Sequence, residues 1–255
     1  MSTLAAERTL IILKHIAASQ EGLGIRELAK KLGYSPSVVQ KIVQALMTHD
    51  FVLQEPDSLA YQLGPAALQV GLSGLSKMEI RKVAKPYLQK LAEKSGETAL
   101  LGVGTNDGVI YIEKSLSPNA IRMDPPIGAF RPFNCTAVGK CMLANKSNEE
   151  IEKLFNENYF VKSTPSSVID LKEIKREIET IREKGFALDR EEYGEGAMCV
   201  GAPIKNFENH VIAAIAIAGP ASRMINNEDK LKEYVLNCAK QISMAFGYIE
   251  NGIIK

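Results

Sequence analysis

Three side chains that can hydrogen-bond to nucleic acid follow a break between two predicted helices. The break lies in LGYSPSVVQKIV, residues 32–43, and the three side chains are Ser37, Gln40 and Lys41. Serine can bond to a phosphate, glutamine can pair with adenine, and lysine can contact guanine or a phosphate. Their spacing places them on one open face of a helix whose first exposed residues are small or polar. This stretch therefore carries the donors that a DNA-contacting helix needs.

The surrounding sequence predicts that these side chains belong to a winged helix-turn-helix. Helical patterns cover residues 4–18, 25–32 and 36–48. Gly33 suits the left-handed residue that ends the second helix, Ser35 can cap the third helix, and Pro36 suits its first turn. Two short strand-like segments follow, 51–54 and 60–63, around a Pro-Asp-Ser turn. In such a motif the second helix of the pair enters the major groove, led by its N-terminal residues.

Apolar spacing also predicts which face of each helix is buried. On the first helix the expected stripe is Leu10, Leu13, Ile16 and Ala17. On the third helix the expected stripe is Val39, Ile42, Val43 and Leu46. We therefore expect the polar donors of the third helix to face outward.

Charge is placed locally rather than globally. The whole chain has a formal net charge of +1, so a DNA site must come from local clustering. Residues 22–48 hold four Lys or Arg against one Glu, a net of +3, whereas residues 1–75 balance six positive against six negative charges. Phosphate neutralisation by one copy is then modest, and a dimer would double it. Winged helices also serve as protein-protein modules, but the fuller pattern favours DNA.

Composition excludes several other classes of protein. The chain of 255 residues is 45% hydrophobic and 24% charged, which is ordinary for a globular protein with a core. It has no apolar run long enough to span a membrane, and its start lacks the pattern of a secretory signal. The four cysteines form no Cys-x-x-Cys pair. We therefore expect a cytoplasmic protein with reduced cysteines and with no metal or cofactor.

The predicted secondary structure changes from helices to a mixture of strands and helices after a basic helical stretch. Residues 66–95 read as helix, interrupted near Gly71 and Gly74, and residues 76–95 carry a net charge of +4. That charge is either a solvated helix face or a phosphate contact, and the stretch is expected to link two domains. From residue 97 onward the predicted order is β-β-α-α-α-β-β-α, which indicates an α+β module with an antiparallel sheet.

Four motifs in this order resemble the IclR family of bacterial transcription regulators. The first is GIRELAKKLGYSPSVVQKIVQALMTHDFV, and the second is YQLGP at residues 61–65. The third is NCTAVGKCMLA at residues 134–144. The fourth combines ALDREEYGEGAMCVGAPI at residues 187–204 with AAIAIAGP at residues 213–220. Each motif is moderately specific, and together they span almost the whole chain.

The resemblance implies an architecture and a set of partners. Residues 1–65 would be the winged helix-turn-helix, residues 66–95 the linker helix region, and residues 96–255 a GAF-like effector-binding domain. The chain would form a homodimer or homotetramer and bind a palindromic operator of a catabolic operon, as a repressor or an activator. Its expected DNA-binding residues are Arg26, Ser35, Pro36, Ser37, Val38, Gln40 and Lys41.

The resemblance also places an effector pocket for a small organic acid. Backbone N–H groups of Ala137 and Val138 would bind the anion at the start of a short helix. Asp189 and Cys199 match family pocket positions and would orient the ligand.

One part of this pocket departs from the family pattern. Ala216 and Ala218 stand where the family commonly has serines that hydrogen-bond the effector. Two hydroxyl donors are lost, each contributing on the order of 1 kcal/mol. The departure therefore favours a larger or partly apolar ligand, such as an aromatic acid, over a very small and highly polar one.

Two other functions stay open beside that of a regulator without catalytic activity. An enzyme could use the winged helix only to dimerise, with its chemistry in residues 97–250, and a ligand-binding adaptor could act only through proteins. Cys199 could contact a ligand, fill space as a small buried residue, or act as a nucleophile. Gly139-Lys140 lacks the glycine spacing and the following Ser or Thr of a phosphate loop, so we reject that function for it.

Overall fold

The computed structural model describes residues 3–249, without the side chains of Thr3 and Ser76. The chain divides into two compact units, Met1–Met78 and Glu79–Lys255. The predicted interruption near Gly71 and Gly74 is wrong, because one helix continues through both glycines and ends at Lys77. The break falls at Met78, whose backbone is extended.

The N-terminal unit is a three-helix core followed by a hairpin and a fourth helix. Its helices are α1 (Thr3–Ala18), α2 (Ile25–Leu32), α3 (Pro36–Thr48) and α4 (Pro65–Lys77). Its strands are β1 (Val52–Gln54) and β2 (Tyr61–Leu63), which pair antiparallel with Val52 opposite Leu63. Gly33 adopts the left-handed conformation, with φ of 66°, and its N–H bonds to the carbonyl of Ala29 at the end of α2. This sharp turn lets α3 start three residues later, as predicted.

The buried face of α1 differs from the predicted stripe. Ile12 and Ile16 are buried, whereas Leu10 is 60% exposed and Ala17 is also exposed. Residues 10–13 read Leu-Ile-Ile-Leu, so periodicity alone allowed more than one apolar stripe. On α3 the prediction holds, with Val39, Val43 and Leu46 buried and Ile42 partly buried.

The C-terminal unit is built on one six-stranded antiparallel sheet. Its strands, in the order β5-β4-β3-β8-β7-β6, are β3 (Thr98–Gly104), β4 (Gly108–Ser115), β5 (Phe130–Pro132), β6 (Ala187–Arg190), β7 (Ala197–Lys205) and β8 (Val211–Pro220). Its helices are α5 (Glu79–Ser95), α6 (Ala137–Leu143), α7 (Asn148–Asn156), α8 (Leu171–Lys184), α9 (Ala221–Met224) and α10 (Glu228–Ala245). The predicted α+β class with an antiparallel sheet is confirmed.

Two strands and one helix boundary differ from the sequence-based expectation. The edge strands β5 and β6 were not predicted, since they have three and four residues and lie next to proline-rich or charged segments. The last helix was expected to reach residue 249 but ends at Ala245.

The sheet separates two helical layers. Ala214, Ala216 and Ala218 of β8 share one hydrophobic cluster with residues of α6, α7 and α8. Successive side chains of a strand point to opposite faces, so Ile215 and Ile217 face the other way. Helices α5 and α10 pack against that second face and against each other. Within residues 3–249, no helix is long and apolar enough to cross a membrane.

Candidate functional site

The open face of α3 presents the three donors that the sequence singled out. Ser37, Gln40 and Lys41 are exposed and, together with Gln44, line a shallow surface depression. Sequence reasoning missed Gln44, although its position four residues after Gln40 is the signal that could have found it. The α3 face therefore offers two amides, one hydroxyl and one ammonium group to a partner.

The start of α3 differs in detail from the prediction. Ser35 occupies the N-cap position, but its side chain makes no capping bond and lies 3.2 Å from the hydroxyl of Ser37. Its backbone carbonyl instead accepts the N–H groups of Val38 and Val39. Two hydroxyls thus stand at the positive end of the helix dipole, where a phosphate is favoured. Val38 is half-buried, Pro36 is exposed in the first turn, and Arg26 is exposed on α2.

A second candidate site lies on one face of the C-terminal sheet. Asp189 of β6 is opposite Cys199 of β7, Cys199 is opposite Ala218 of β8, and Ala218 is opposite Thr98 of β3. Cross-strand partners share a face, so the four side chains form one row across four strands. Ala216 follows on the same face, two residues from Ala218.

Helix α6 lies directly over this face because two glycines allow a close approach. A Cβ on Gly201 would sit 3.1 Å from the Cβ of Ala137, and a Cβ on Gly102 would sit 2.7 Å from Cγ1 of Val138. Ala137 and Val138 share a hydrophobic cluster with the alanines of β8, and Cys199 packs against that cluster. Five of the predicted effector residues therefore meet in one place, and Asp189 pairs with Cys199 at its edge.

Asp189 is a buried carboxyl group and not part of a solvated loop. It is 3% exposed on β6, and its Oδ1 accepts the N–H of Glu192 at 2.9 Å. Burial raises the pKa of Asp189 to about 6, against the lowering effect of backbone hydrogen bonds and of Lys140. Burial and the neighbouring Asp189 also raise the pKa of Cys199 far above its usual range. Cys199 is therefore held as a thiol, which disfavours a nucleophilic role because the thiolate is the reactive form.

The raised pKa of Asp189 predicts a pH dependence of stability. The pKa of Asp189 in the folded state, about 6, lies above the ordinary aspartate value of 3.8, so the folded state binds more protons than the unfolded state between these two values. The contribution of Asp189 to stability therefore increases as the pH falls from about 7 to 5 and is lost as it rises through about 6. We expect Asp189→Asn to remove this part of the change in melting temperature between pH 5 and pH 7. Asp229→Asn, at a side chain that is 98% exposed, is the control, and equal pH dependence in wild type and Asp189→Asn would contradict the assignment.

Lys140 is a buried ammonium group that ties three elements together. It is 1% exposed, and its Nζ donates to Glu177 Oε1 and Glu192 Oε1, each at 2.6 Å, and to the carbonyl of Leu188 at 2.9 Å. Burial alone would lower the pKa of Lys140, but the two carboxylates raise it. The ammonium thus joins α6 to α8 and to the turn after β6, and it has no capacity left for a phosphate. Sequence reasoning had no signal for this tertiary arrangement.

An arginine between two tyrosines borders the same sheet face. The guanidinium carbon of Arg131 lies 5.6 Å from the ring centroid of Tyr111 and 4.7 Å from that of Tyr193. Arg131 belongs to the edge strand β5, and Tyr193 follows β6, the strand at the opposite edge. The contact therefore shows that the sheet curls until its two edges approach each other beside the row of Asp189 and Cys199. None of the three residues was predicted as a site residue.

These observations define a class of protein. The N-terminal unit is a winged helix-turn-helix with exposed donors on α3, and the C-terminal unit is an α+β domain with a curled antiparallel sheet. This is the arrangement of a two-domain DNA-binding regulator. Two family models match the chain: that of the bacterial transcriptional regulator IclR C-terminal domain matches residues 72–244, and that of the IclR helix-turn-helix domain matches residues 5–56. The chain belongs to the IclR family of bacterial transcriptional regulators.

Individual relatives match over nearly their whole length. The chain is 30% identical over 240 residues to the HTH-type transcriptional regulator KdgR of Escherichia coli, covering 93% of this chain and 90% of the relative. It is 29% identical over 245 residues to the regulator XynR of the same organism, covering 96% of this chain and 97% of the relative. The crystal structure of Thermotoga maritima IclR superposes with a TM-score of 0.68 at 28% identity, and the match covers 95% of this chain and 98% of that one. The chain is thus a DNA-binding transcriptional regulator, and the enzyme alternative finds no support.

Proposed function

We propose that this regulator binds a palindromic operator of a catabolic operon and responds to a small organic acid bound on the α6-covered face of its sheet. The observation that carries the effector site is the convergence of α6, β6, β7 and β8 on the row of Asp189, Cys199 and Ala218. The site would bind the acid through the backbone N–H groups of Ala137 and Val138, with Asp189 and Cys199 orienting it.

The location of Ala137 and Val138 supports an anionic ligand. Thr136 caps α6, since its hydroxyl accepts the N–H of Gly139 and its carbonyl accepts the N–H of Lys140. Ala137 and Val138 are the first two residues of the helix, whose N–H groups have no acceptor within it. Ala216 and Ala218 add an apolar wall, which favours an acid with an apolar body over a very small polar one.

The DNA contacts are proposed for the first turns of α3 and for α2. The proposed residues are Arg26, Ser35, Pro36, Ser37, Val38, Gln40 and Lys41, in a domain of residues 1–65 followed by a linker region, 66–95, and an effector domain, 96–255. The protein would act in the cytoplasm, where its DNA is, and without catalysis. The protonated state of Cys199 disfavours a nucleophilic role for that residue.

Exposed apolar side chains on two helices support a homo-oligomer. On α4 they are Leu68, Val70 and Leu72, each at least 54% exposed, and on α1 Leu4 and Leu10 are similarly exposed. Leu68 and Leu72 are one helical turn apart and share a face, and an exposed apolar face is typical of protein-protein contacts. A second copy would also double the phosphate contacts, and effector binding would then change the spacing of two recognition helices.

A screen of organic acids against the full chain tests the effector site. We expect at least one acid to raise the melting temperature, since ligand at about 100 times its Kd adds about 2.7 kcal/mol to stability. The same acid should change the affinity for DNA from upstream of the coding region. Asp189→Ala and Cys199→Ser should weaken its binding, whereas Cys238→Ser, at a buried thiol on α10 that bonds to the carbonyl of Tyr87, should not. An acid whose binding both site variants leave unchanged would refute the pocket.

A further inference from the structure

Arg131 is a half-buried cation without an acidic partner among residues 3–249. Its guanidinium donates to the carbonyl of Phe130 at 2.7 Å and is otherwise held by the rings of Tyr111 and Tyr193. Other arginines of the same unit pair with carboxylates, such as Arg81 with Glu113 and Arg223 with Glu97. Two aromatic rings thus lie against the guanidinium, and no carboxylate among residues 3–249 forms a salt bridge with it.

The strand register places Arg131 on the α6-covered face of the sheet, where the effector site is proposed. Arg131 is the cross-strand partner of Val109, and cross-strand partners share a face. Val109 is fully buried in the hydrophobic cluster that contains Tyr111, Val138 and Ala216. The positive charge of Arg131 also opposes the rise in the pKa of Cys199 that burial and Asp189 cause.

Apart from Arg131, the side chains of the proposed effector site carry no free positive charge that could join the backbone N–H groups of Ala137 and Val138 in binding an anion. Ala216 and Ala218 donate no side-chain hydrogen bonds, and Lys140 is fully used by Glu177, Glu192 and the carbonyl of Leu188. Tyr111 supplies one neutral donor, because burial raises the pKa of its hydroxyl far above the usual range and keeps it protonated. A planar guanidinium offers two parallel N–H groups that match the geometry of a carboxylate.

We propose that Arg131 anchors the carboxylate of the effector and that Tyr111 and Tyr193 stack on the guanidinium and on a planar apolar body of that ligand. The ligand class is then an aromatic carboxylic acid. This inference rests on the proposed effector site and adds to it the residue that selects the charge. The backbone of Tyr193 hydrogen-bonds to Asp189. A ligand that contacts Arg131 and Tyr193 would therefore lie beside the row of Asp189 and Cys199.

Calorimetric titration of the full chain with paired probes tests the inference. The probes are benzoate, phenylacetate and 4-hydroxyphenylacetate, each compared with its uncharged primary amide. We expect wild type to bind at least one acid more tightly than its amide, and Arg131→Gln to weaken that acid about tenfold or more while changing the amide by less than about twofold. Arg131→Lys should retain part of the acid preference, and Arg176→Gln, at an exposed arginine of α8, should retain all of it.

The outcomes separate this inference from the proposed function. If Arg131→Gln binds the acid as wild type does, or if wild type binds the amides as well as the acids, Arg131 is not the anchor. If a short polar acid such as pyruvate binds equally to wild type and Arg131→Gln and alters DNA binding, the effector site stands and the inference fails. If no acid binds wild type, both fail. A urea unfolding midpoint of Arg131→Gln equal to that of wild type verifies that this variant is folded.

Discussion

Replacing Lys140 by methionine is expected to lower the free energy of unfolding of the C-terminal unit by about 3–5 kcal/mol, because a buried carboxylate loses its partner. Lys140 is 1% exposed and holds Glu192, whose side chain is 9% exposed, at 2.6 Å. Methionine keeps most of the side-chain volume, so the loss reports charge and hydrogen bonding and not a cavity. Urea unfolding followed by circular dichroism measures it.

The pH dependence of this variant identifies the group that is left unpaired. Burial raises the pKa of Glu192, and Lys140 opposes that rise. Without Lys140 the pKa rises further above its unfolded value, so the destabilisation is largest at high pH and shrinks as the carboxyl is protonated at low pH. Adding Glu192→Gln should recover part of the stability.

An exposed lysine provides the control for this prediction. Lys153 pairs with Glu157 at 3.9 Å, and its side chain is 74% exposed. Lys153→Met should change the free energy of unfolding by at most about 1 kcal/mol, as is usual for surface pairs. Equal urea midpoints for the two methionine variants would show that the buried ion pair has no role in stability.

Replacing both Gln40 and Lys41 by alanine is expected to reduce operator affinity by about 100-fold or more. A base contact contributes about 1–3 kcal/mol of discrimination, and a dimer loses such contacts in both half-sites. Both side chains are exposed, so the melting temperature should stay the same. Losing one phosphate contact per subunit would also reduce the slope of the logarithm of affinity against the logarithm of salt concentration by about one for each subunit. Fluorescence anisotropy at several salt concentrations measures both effects.

A second Gln-Lys pair gives a matched control. Gln89 and Lys90 are adjacent and exposed on α5, in the basic stretch of residues 76–95. Their double replacement by alanine removes the same side chains and the same charge, and it should leave operator affinity nearly unchanged if that stretch is a solvated face. An equal loss in both variants would mean that net charge, and not the face of α3, determines binding. Unchanged promoter output in cells with the α3 variant would favour the adaptor alternative.

Local signals were sufficient for the helix-turn-helix. Gly33 and Pro36 determine the backbone at the turn through conformations that few other residues adopt, so the boundaries of α2 and α3 followed from the sequence. The face of α1 did not follow, because Leu10 and Ile12 are equally apolar and only packing decides between them.

The site on the sheet depended on long-range contacts. Strands β5 and β6 are too short to show a period, yet they carry Arg131 and Asp189. Asp189 was found through resemblance to a family. Arg131 and Tyr111 meet because β5 pairs with β4, and Tyr193 joins them because the sheet curls. Lys140 is buried where α8 supplies Glu177 and the turn after β6 supplies Glu192. No local pattern encodes those contacts.

Binding of the wild-type chain to DNA from upstream of its coding region tests the central claim most directly. Anisotropy titrations at increasing salt should show specific binding about 10³-fold or more tighter than to a scrambled fragment. The logarithm of the affinity should fall steeply and linearly with the logarithm of salt concentration, because bound phosphates release counterions. Absent binding, or binding that is insensitive to both sequence and salt, would contradict a regulator that recognises DNA through α3.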